Sequence, residues 1–160
     1  MDGADRRLAA TDFVLRTRVY RTADGVKAEL GWKGPTMYEG GYKVREELGT
    51  PVGDPEALAA ILGHSGFVIT RAIDREIAQY ELDGTVVRFE RYPRMDTLVE
   101  VEGTPEGIER AVVVLGLARE GFTTDRLPAF VRRFRERTGL EPALCNSELD
   151  GTIIYSVDDA

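Results

Sequence analysis

The sequence contains a single cysteine, Cys145, and a single histidine, His64, among its 160 residues. This scarcity excludes a disulfide framework and a zinc site built from several such ligands, so a divalent ion would have to be held by carboxylates, which favours Mg²⁺ or Mn²⁺. No apolar run approaches the ~20 residues that a membrane-spanning helix needs, and residues 1–6 do not resemble a signal peptide. We therefore expect a cytoplasmic protein with no membrane partner.

The chain also has fewer positive than negative charges, and its formal net charge is −7. Proteins that bind nucleic acid normally show a basic excess, so we expect no nucleic-acid partner. A local cluster of cations can still bind an anionic ligand in an acidic protein. The length and the 42% hydrophobic content predict one globular domain over residues 1–160, with a core of about 11–138 and a tail of 139–160.

Apolar and charged residues alternate in several segments, as in strands that bury one face. In the first, Arg16 and Arg18 share a face, while Phe13, Leu15 and Val19 share the other. The same pattern and the turn residues predict strands at residues 12–20, 26–33, 42–49, 67–82, 85–92 and 97–102, and a further strand in the tail at 152–157. Capping signals predict helices at residues 55–62, 105–115 and about 127–137.

The polar faces of these predicted strands carry residues suited to phosphate and metal chemistry. Phosphate recognition needs several converging cations, because each oxygen takes charge-assisted hydrogen bonds. The cationic candidates are Arg16, Arg18, Lys33, Lys43, Arg45, Arg71, Arg75 and Arg88, and the carboxylate candidates are Glu29, Glu47, Glu90, Glu100 and Glu102. Glu100 and Glu102 point the same way and can share one metal ion. The alternative is a solvated sheet face with cross-strand ion pairs of ~0.2–1 kcal/mol each.

The order and spacing of several motifs resemble the CYTH superfamily, the triphosphate tunnel metalloenzymes. Leu15-Arg16-Thr17-Arg18 is similar to that family's Leu-Arg-x-Arg strand, and residues 30–35 are similar to its Leu-Thr-Tyr-Lys-Gly-Pro segment. Arg45-Glu46-Glu47 matches Arg-x-Glu, and Ile73-Asp74-Arg75 falls at Lys-x-Arg. Residues 98–102 match Phe-x-Glu-Ile-Glu, with Glu90 in register on an acidic position of the family.

The resemblance implies an α+β fold in which an eight-stranded antiparallel barrel, flanked by helices, binds a triphosphate. It implies a metal-dependent enzyme that cyclises ATP, as class IV adenylate cyclases do, or hydrolyses inorganic or thiamine triphosphate. The residues implied are Glu90 and Lys33 for catalysis, Arg16, Arg18, Lys33, Arg45, Arg71 and Arg75 for the triphosphate, and Glu47, Glu100 and Glu102 for Mg²⁺ or Mn²⁺. The alternative function is a polyphosphate- or nucleotide-binding module without turnover.

The chain also departs from the family pattern. The family opens with a Glu-x-Glu-x-Lys strand that is not found here, so we expect a barrel that is incomplete at its N-terminus and lacks roughly 50 residues. Ile73 replaces a lysine, although Arg71 lies two residues away on the same predicted face. An open barrel exposes unpaired strand edges, so we expect weak triphosphate binding, slow turnover and self-association, for example as a homodimer.

Overall fold

The computed structural model describes residues 1–156, and the chain divides into two compact units, Met1–Thr70 and Arg71–Ala160. The two units are described separately below. The single domain expected from the sequence stays a prediction.

The first unit contains three antiparallel sheets and two helices. The main sheet has three strands in the order β2–β3–β6, and the other two sheets pair β4 with β5 and β1 with β7. The elements are β1 (Asp2–Gly3), α1 (Arg7–Ala10), β2 (Val14–Thr22), β3 (Gly25–Lys33), β4 (Met37–Glu39), β5 (Tyr42–Val44), β6 (Glu47–Val52), α2 (Pro55–His64) and β7 (Phe67–Val68).

The β2–β3 hairpin forms where the alternating pattern and the turn residues predict it. Ala23 and Asp24 make the connection, and Gly25 has a φ of 123°, a conformation that side chains disfavour. The register pairs Arg16 with Gly31, so Arg16 and Arg18 of β2 project from the same face of the sheet as Glu29 and Lys33 of β3. On the other face the rings of Phe13 and Trp32 lie 5.4 Å apart.

The second unit contains one three-stranded antiparallel sheet in the order β10–β9–β8, followed by helices. Its elements are β8 (Glu76–Leu82), β9 (Thr85–Arg91), β10 (Leu98–Glu102), α3 (Pro105–Leu115), a short 3₁₀ turn (Arg119–Gly121), α4 (Leu127–Thr138) and α5 (Asn146–Leu149).

Packing in the second unit leaves one face of its sheet for charged side chains. The buried residues Thr85 and Val87 alternate along β9 with Arg88 and Glu90, so the two pairs lie on opposite faces. Helix α3 packs against β9 so closely that a Cβ added at Gly107 would lie 2.2 Å from the Thr85 hydroxyl oxygen. A separate apolar cluster joins Tyr92 and Leu144 to Val131 of α4.

The three long helices confirm the sequence prediction. Asp54 accepts a hydrogen bond from the Ala57 backbone N–H at 2.8 Å, and Thr104 accepts one from the Gly107 N–H at 3.2 Å, as N-capping residues do. Gly116 and Gly139 end α3 and α4 with left-handed φ values of 65° and 71°. Helix α2 continues to His64, two residues beyond the predicted end. None of the helices among residues 1–156 is both long and apolar enough to cross a membrane.

The predicted eight-stranded barrel is wrong. The described residues form four separate antiparallel sheets, none of which closes. Closure requires hydrogen-bonded neighbours on both sides of every strand, whereas within residues 1–156 β2, β6, β8 and β10 each pair on one side only. Pro51 in β6 has no N–H to donate, which suits an edge strand.

Three predicted strands were also too long or misplaced. The predicted strand 42–49 is interrupted at Arg45 and Glu46, which belong to no strand. The predicted strand 67–82 is divided by the irregular segment 69–75. The predicted tail strand is absent from residues 152–156, and Val157 lies outside the described residues.

Candidate functional site

The first candidate site is one face of the β2–β3–β6 sheet, called here the basic face and defined by Arg16, Arg18, Lys33, Glu29 and Glu47. The register places these five residues on the same side of the sheet. The Lys33 ammonium donates a hydrogen bond to the Glu47 carboxylate, and Nη2 of Arg16 lies 3.9 Å from the second oxygen of that carboxylate.

The cations of the basic face are half-buried. The side chains of Lys33 and Arg16 are 17% and 28% exposed, respectively, whereas Val19 and Val26 on the opposite face are 40% and 66% exposed. Their partner Glu47 is 47% exposed, so the ion pairs of this face are partly covered and partly in water.

The neighbouring cations lower the pKa of Glu47. Partial burial by itself would raise the pKa of this carboxyl group, but the hydrogen bond and charge of Lys33, together with the charges of Arg16 and Arg18, lower it below its usual value. Three cations therefore act on Glu47, and the five residues that define this face, three cations and two glutamates, carry a formal charge of +1.

Two glycines leave the middle of the basic face without side chains. Gly31 and Gly49 pair in the same register row as Arg16, across three adjacent strands. A Cβ added at Gly31 would lie 3.4 Å from Oε1 of Glu29, and one added at Gly49 would lie 3.2 Å from the same atom. The glycines thus give the side chains of Arg16 and Glu29 room to lie along the sheet.

Arg18 and Arg45, both predicted as phosphate ligands, make other contacts in this unit. Arg18 donates a hydrogen bond to the Tyr20 hydroxyl at 3.2 Å. Arg45 donates to the backbone carbonyls of Gly34 and Asp12, each at 2.6 Å. Arg45 therefore connects the segment that precedes β2 with the segment that follows β3. This contact is structural, whereas the sequence predicted that Arg45 binds phosphate.

The second candidate site is one face of the β8–β9–β10 sheet, called here the acidic face and defined by Arg75, Arg88, Glu90, Glu100 and Glu102. Nη1 of Arg88 lies 3.3 Å from Oε2 of Glu100 and 2.6 Å from Oε2 of Glu102. Partial burial alone would lower the pKa of Arg88, but the two carboxylates, Glu102 above all, raise it. Glu100 and Glu102, which were predicted to share a metal ion, therefore both pair with the guanidinium of Arg88.

A buried group of three residues lies in the same unit. Oε2 of Glu90 accepts hydrogen bonds from Nη1 of Arg75 at 2.7 Å and from the Tyr92 hydroxyl at 2.6 Å. Glu90 is only 4% exposed, and no residue of the described chain donates to its other oxygen, Oε1. Burial, followed by the hydrogen bond and charge of Glu90, raises the pKa of Tyr92, so its hydroxyl keeps its proton at neutral pH.

Arg71 is held by the C-terminal part of its own unit. Its guanidinium makes a two-point ion pair with Glu148, with distances of 3.0 and 3.1 Å, and both side chains are 9% exposed. The Tyr155 ring lies 5.2 Å from the guanidinium carbon. Glu148 also accepts from the backbone N–H of Leu144 at 2.7 Å. Burial and multiple contacts indicate a structural role for Arg71.

The donor set for a metal ion is limited to oxygen atoms. Within residues 1–156, no three acidic, histidine or cysteine side chains are grouped closely enough to hold an ion together. Glu47 belongs to the first unit, and Glu100 and Glu102 belong to the second. Two convergent carboxylates nevertheless fit Mg²⁺, which commonly takes one or two protein carboxylates and fills its remaining positions with water or phosphate oxygens.

The sequence reasoning missed two residues of these groups. Tyr92 could have been found, because it follows Glu90 by two residues and alternation places both on one side of the chain. Glu148 carried no comparable signal, since 77 residues separate it from Arg71. Only the folded chain brings that pair together.

Comparison with known proteins finds solved structures of similar fold. No family model matches the chain, and no curated protein does so either. A conserved hypothetical protein from Pyrococcus furiosus has a TM-score of 0.59 at 20% identity, covering 74% of this chain and 75% of its own. The PH1819 protein from Pyrococcus horikoshii OT3 has a TM-score of 0.58 at 21% identity, and the match covers 72% of this chain and 67% of the PH1819 chain. The PH1012 protein of the same organism has a TM-score of 0.53 at 14% identity, and the match covers 76% of this chain and 88% of the PH1012 chain. These likenesses concern the fold alone.

Proposed function

We propose that this chain binds a small-molecule triphosphate through its basic face and acts on it as a Mg²⁺-dependent enzyme. The observation that carries the proposal is that Lys33, Arg16 and Arg18 lie on one face of a sheet, where half-buried Lys33 and Arg16 both pair with Glu47. A triphosphate carries several negative charges, and charge-assisted hydrogen bonds from convergent cations are the protein's usual means of compensating them. The resemblance of residues 15–18, 30–35 and 98–102 to the triphosphate tunnel metalloenzymes gives independent support.

The acidic face supplies the groups proposed for metal binding. Glu100 and Glu102 would hold Mg²⁺ in place of the Arg88 guanidinium on which they now converge. When bound, the ion would supply the positive charge that compensates these two carboxylates and polarises the oxygen atoms bound to it. We assign Lys33 to stabilising negative charge on the ligand, and Glu90 to accepting a hydrogen bond or proton through its oxygen Oε1.

A second candidate function is triphosphate binding without turnover. It is favoured by the present contacts of three predicted phosphate ligands, because Arg45 binds backbone carbonyls, Arg71 binds Glu148 and Arg75 binds Glu90. Fewer cations are then left to stabilise charge on a reacting phosphate than the sequence reasoning assumed. Release of phosphate or cyclic nucleotide in the presence of Mg²⁺ separates the two functions.

Ligand binding is tested by thermal unfolding. With Mg²⁺ present, we expect ATP or tripolyphosphate at about 100 times its Kd to add ~2.7 kcal/mol to the unfolding free energy and to raise the Tm by about 5–10 °C. Sulfate at matched ionic strength serves as the control for a general anion effect. No rise in Tm at millimolar concentrations of either triphosphate would contradict the proposed function.

Metal binding is tested by replacing the convergent carboxylates. Glu100 and Glu102 are 46% and 45% exposed, so we expect Glu100→Gln and Glu102→Gln to fold normally. Because the amide keeps the shape but loses the charge, each should weaken Mg²⁺ binding about tenfold or more, as measured by calorimetry with the triphosphate present. Glu76→Gln is the matched control, since Glu76 is 83% exposed and pairs with Arg91. A loss of stability in both variants with unchanged Mg²⁺ affinity would make these carboxylates structural partners of Arg88.

A further inference from the structure

Strand β8 is an edge strand that is exposed along almost its whole length. Within residues 1–156 it pairs with β9 on one side only, and every residue from Glu76 to Glu81 is exposed. Two of its apolar side chains, Ile77 and Tyr80, lie on opposite faces and are 38% and 61% exposed. A free edge and exposed apolar side chains in one strand favour pairing with a further strand.

The turn between β8 and β9 determines which backbone groups lie at the free edge. The two-residue loop Asp83-Gly84 has positive φ at both positions, 48° and 78°, as in a type I′ turn. In such a hairpin the flanking residues, Leu82 and Thr85, exchange hydrogen bonds, and bonded and non-bonded pairs alternate from there. Every second residue of β8, counted back from Glu81, therefore directs its N–H and C=O groups away from β9.

These free groups make β8 available for strand addition. They belong to Ile77, Gln79 and Glu81, and their backbone atoms have no hydrogen-bond partner among residues 1–156. Other edge strands carry protection, since β6 contains Pro51 and β2 carries several arginines. Strand β8 contains no proline, lysine or arginine, and its register with β9 runs over residues 76–82 without a bulge.

The charge beside this edge selects the kind of partner. Residues 76–83 contain Glu76, Glu81 and Asp83, all exposed, and no lysine or arginine. Arg91 of β9 pairs with Glu76 at 3.6 Å on the surface, where such a pair contributes little. A second copy of β8 would place two sets of these carboxylates along one seam, and the net charge of −7 adds to the repulsion. Cationic side chains on an incoming strand would instead attract them.

We propose that the free edge of β8 binds an extended, cationic segment of another protein by β-strand addition. Backbone hydrogen bonds to Ile77, Gln79 and Glu81 pair the strands, and lysine or arginine side chains of the partner meet Glu76 and Glu81. Apolar side chains of the partner pack beside Ile77 on one face and Tyr80 on the other. The inference does not depend on the proposed function, because it uses none of the residues that define the basic or the acidic face.

The experiment measures the binding of three short synthetic peptides to the full chain by fluorescence anisotropy. One peptide alternates lysine with valine, the second alternates glutamate with valine, and the third is the lysine peptide with every backbone nitrogen methylated. We expect the lysine peptide to bind about tenfold more tightly than either of the others, because the second repels β8 and the third cannot donate backbone hydrogen bonds. Amide exchange measured by NMR should slow at Ile77, Gln79 and Glu81 when the lysine peptide is bound.

Two variants test the edge in the protein itself. Gln79→Pro removes the central free N–H without taking a hydrogen bond from β9, and should weaken binding of the lysine peptide about tenfold. The double variant Glu76→Gln/Glu81→Gln should weaken it about fivefold through lost ion pairs. The matched control Glu120→Gln/Glu136→Gln removes the same charge from exposed positions outside β8 and should change the affinity by less than about twofold.

The outcomes decide between strand addition and its alternatives. If no peptide binds, or if the lysine and glutamate peptides bind equally, the inference is wrong. Equal affinity for the methylated peptide would reduce the contact to charge attraction and would also overturn it. Concentration-dependent dimers in analytical ultracentrifugation that Gln79→Pro abolishes would make a second copy the occupant instead. Should Gln79→Pro fail to fold, the three peptides and the amide exchange of the wild-type protein decide the question.

Discussion

Replacing Arg16 and Lys33 together by alanine is expected to reduce triphosphate affinity by about 10²–10⁴-fold. Each hydrogen bond to a charged group contributes about 1.5–3 kcal/mol, and the double replacement removes two cations from the basic face. The effect should be measured by calorimetry with ATP and Mg²⁺. Unfolding free energy should change little, because the ion pairs that these residues make with Glu47 are partly exposed and are worth about 0–1 kcal/mol.

A matched control removes the same amount of charge elsewhere in the first unit. Arg21 lies on the opposite face of β2, and Lys43 lies in the separate β4–β5 sheet, and both are exposed. The double variant Arg21→Ala/Lys43→Ala should bind ATP within about threefold of the wild-type protein, since long-range charge effects are screened at physiological salt. Equal losses in the two double variants would mean that ATP responds to overall charge and that the basic face is not a site.

Replacing Arg71 by alanine is expected to lower the unfolding free energy by about 3–5 kcal/mol. Removing one partner of a buried ion pair leaves the other charge without compensation, and both Arg71 and Glu148 are 9% exposed. Chemical denaturation measures the change. Arg133→Ala is the control, because Arg133 pairs with Asp125 on the surface, where side-chain exposures are 54% and 39%, and should cost less than about 1 kcal/mol.

The Arg71 variants also separate a structural role from a phosphate-binding role. In a double-mutant cycle, Arg71→Met combined with Glu148→Gln should cost clearly less than the sum of the single replacements, because neither charge is then left alone. ATP affinity measured below the unfolding transition should be unchanged in Arg71→Met. A stable Arg71→Met protein that has lost ATP binding would restore the phosphate-binding role assigned from the sequence.

Local patterns in the sequence were sufficient for the elements and for the faces on which charges lie. Alternation along residues 14–22 places Arg16 and Arg18 together because side chains in a strand repeat every two residues. Asp54 and Thr104 marked helix starts because their side chains cap backbone N–H groups within three residues. The predicted strand 67–82 was too long, because no glycine or proline interrupts residues 69–75 to show where strand pairing stops.

The sequence by itself therefore determined which residues share a face, as for Arg16 with Lys33 and for Glu100 with Glu102, because those relations depend on the period of a strand and on a short hairpin. Tertiary structure alone decided which charges neutralise one another. Arg71 meets a glutamate 77 residues away, and Glu90 is buried against Arg75 and Tyr92. Tertiary structure also decided that the sheets stay separate, because closing a barrel depends on pairing between strands that are distant in the sequence, and no local repeat specifies that pairing.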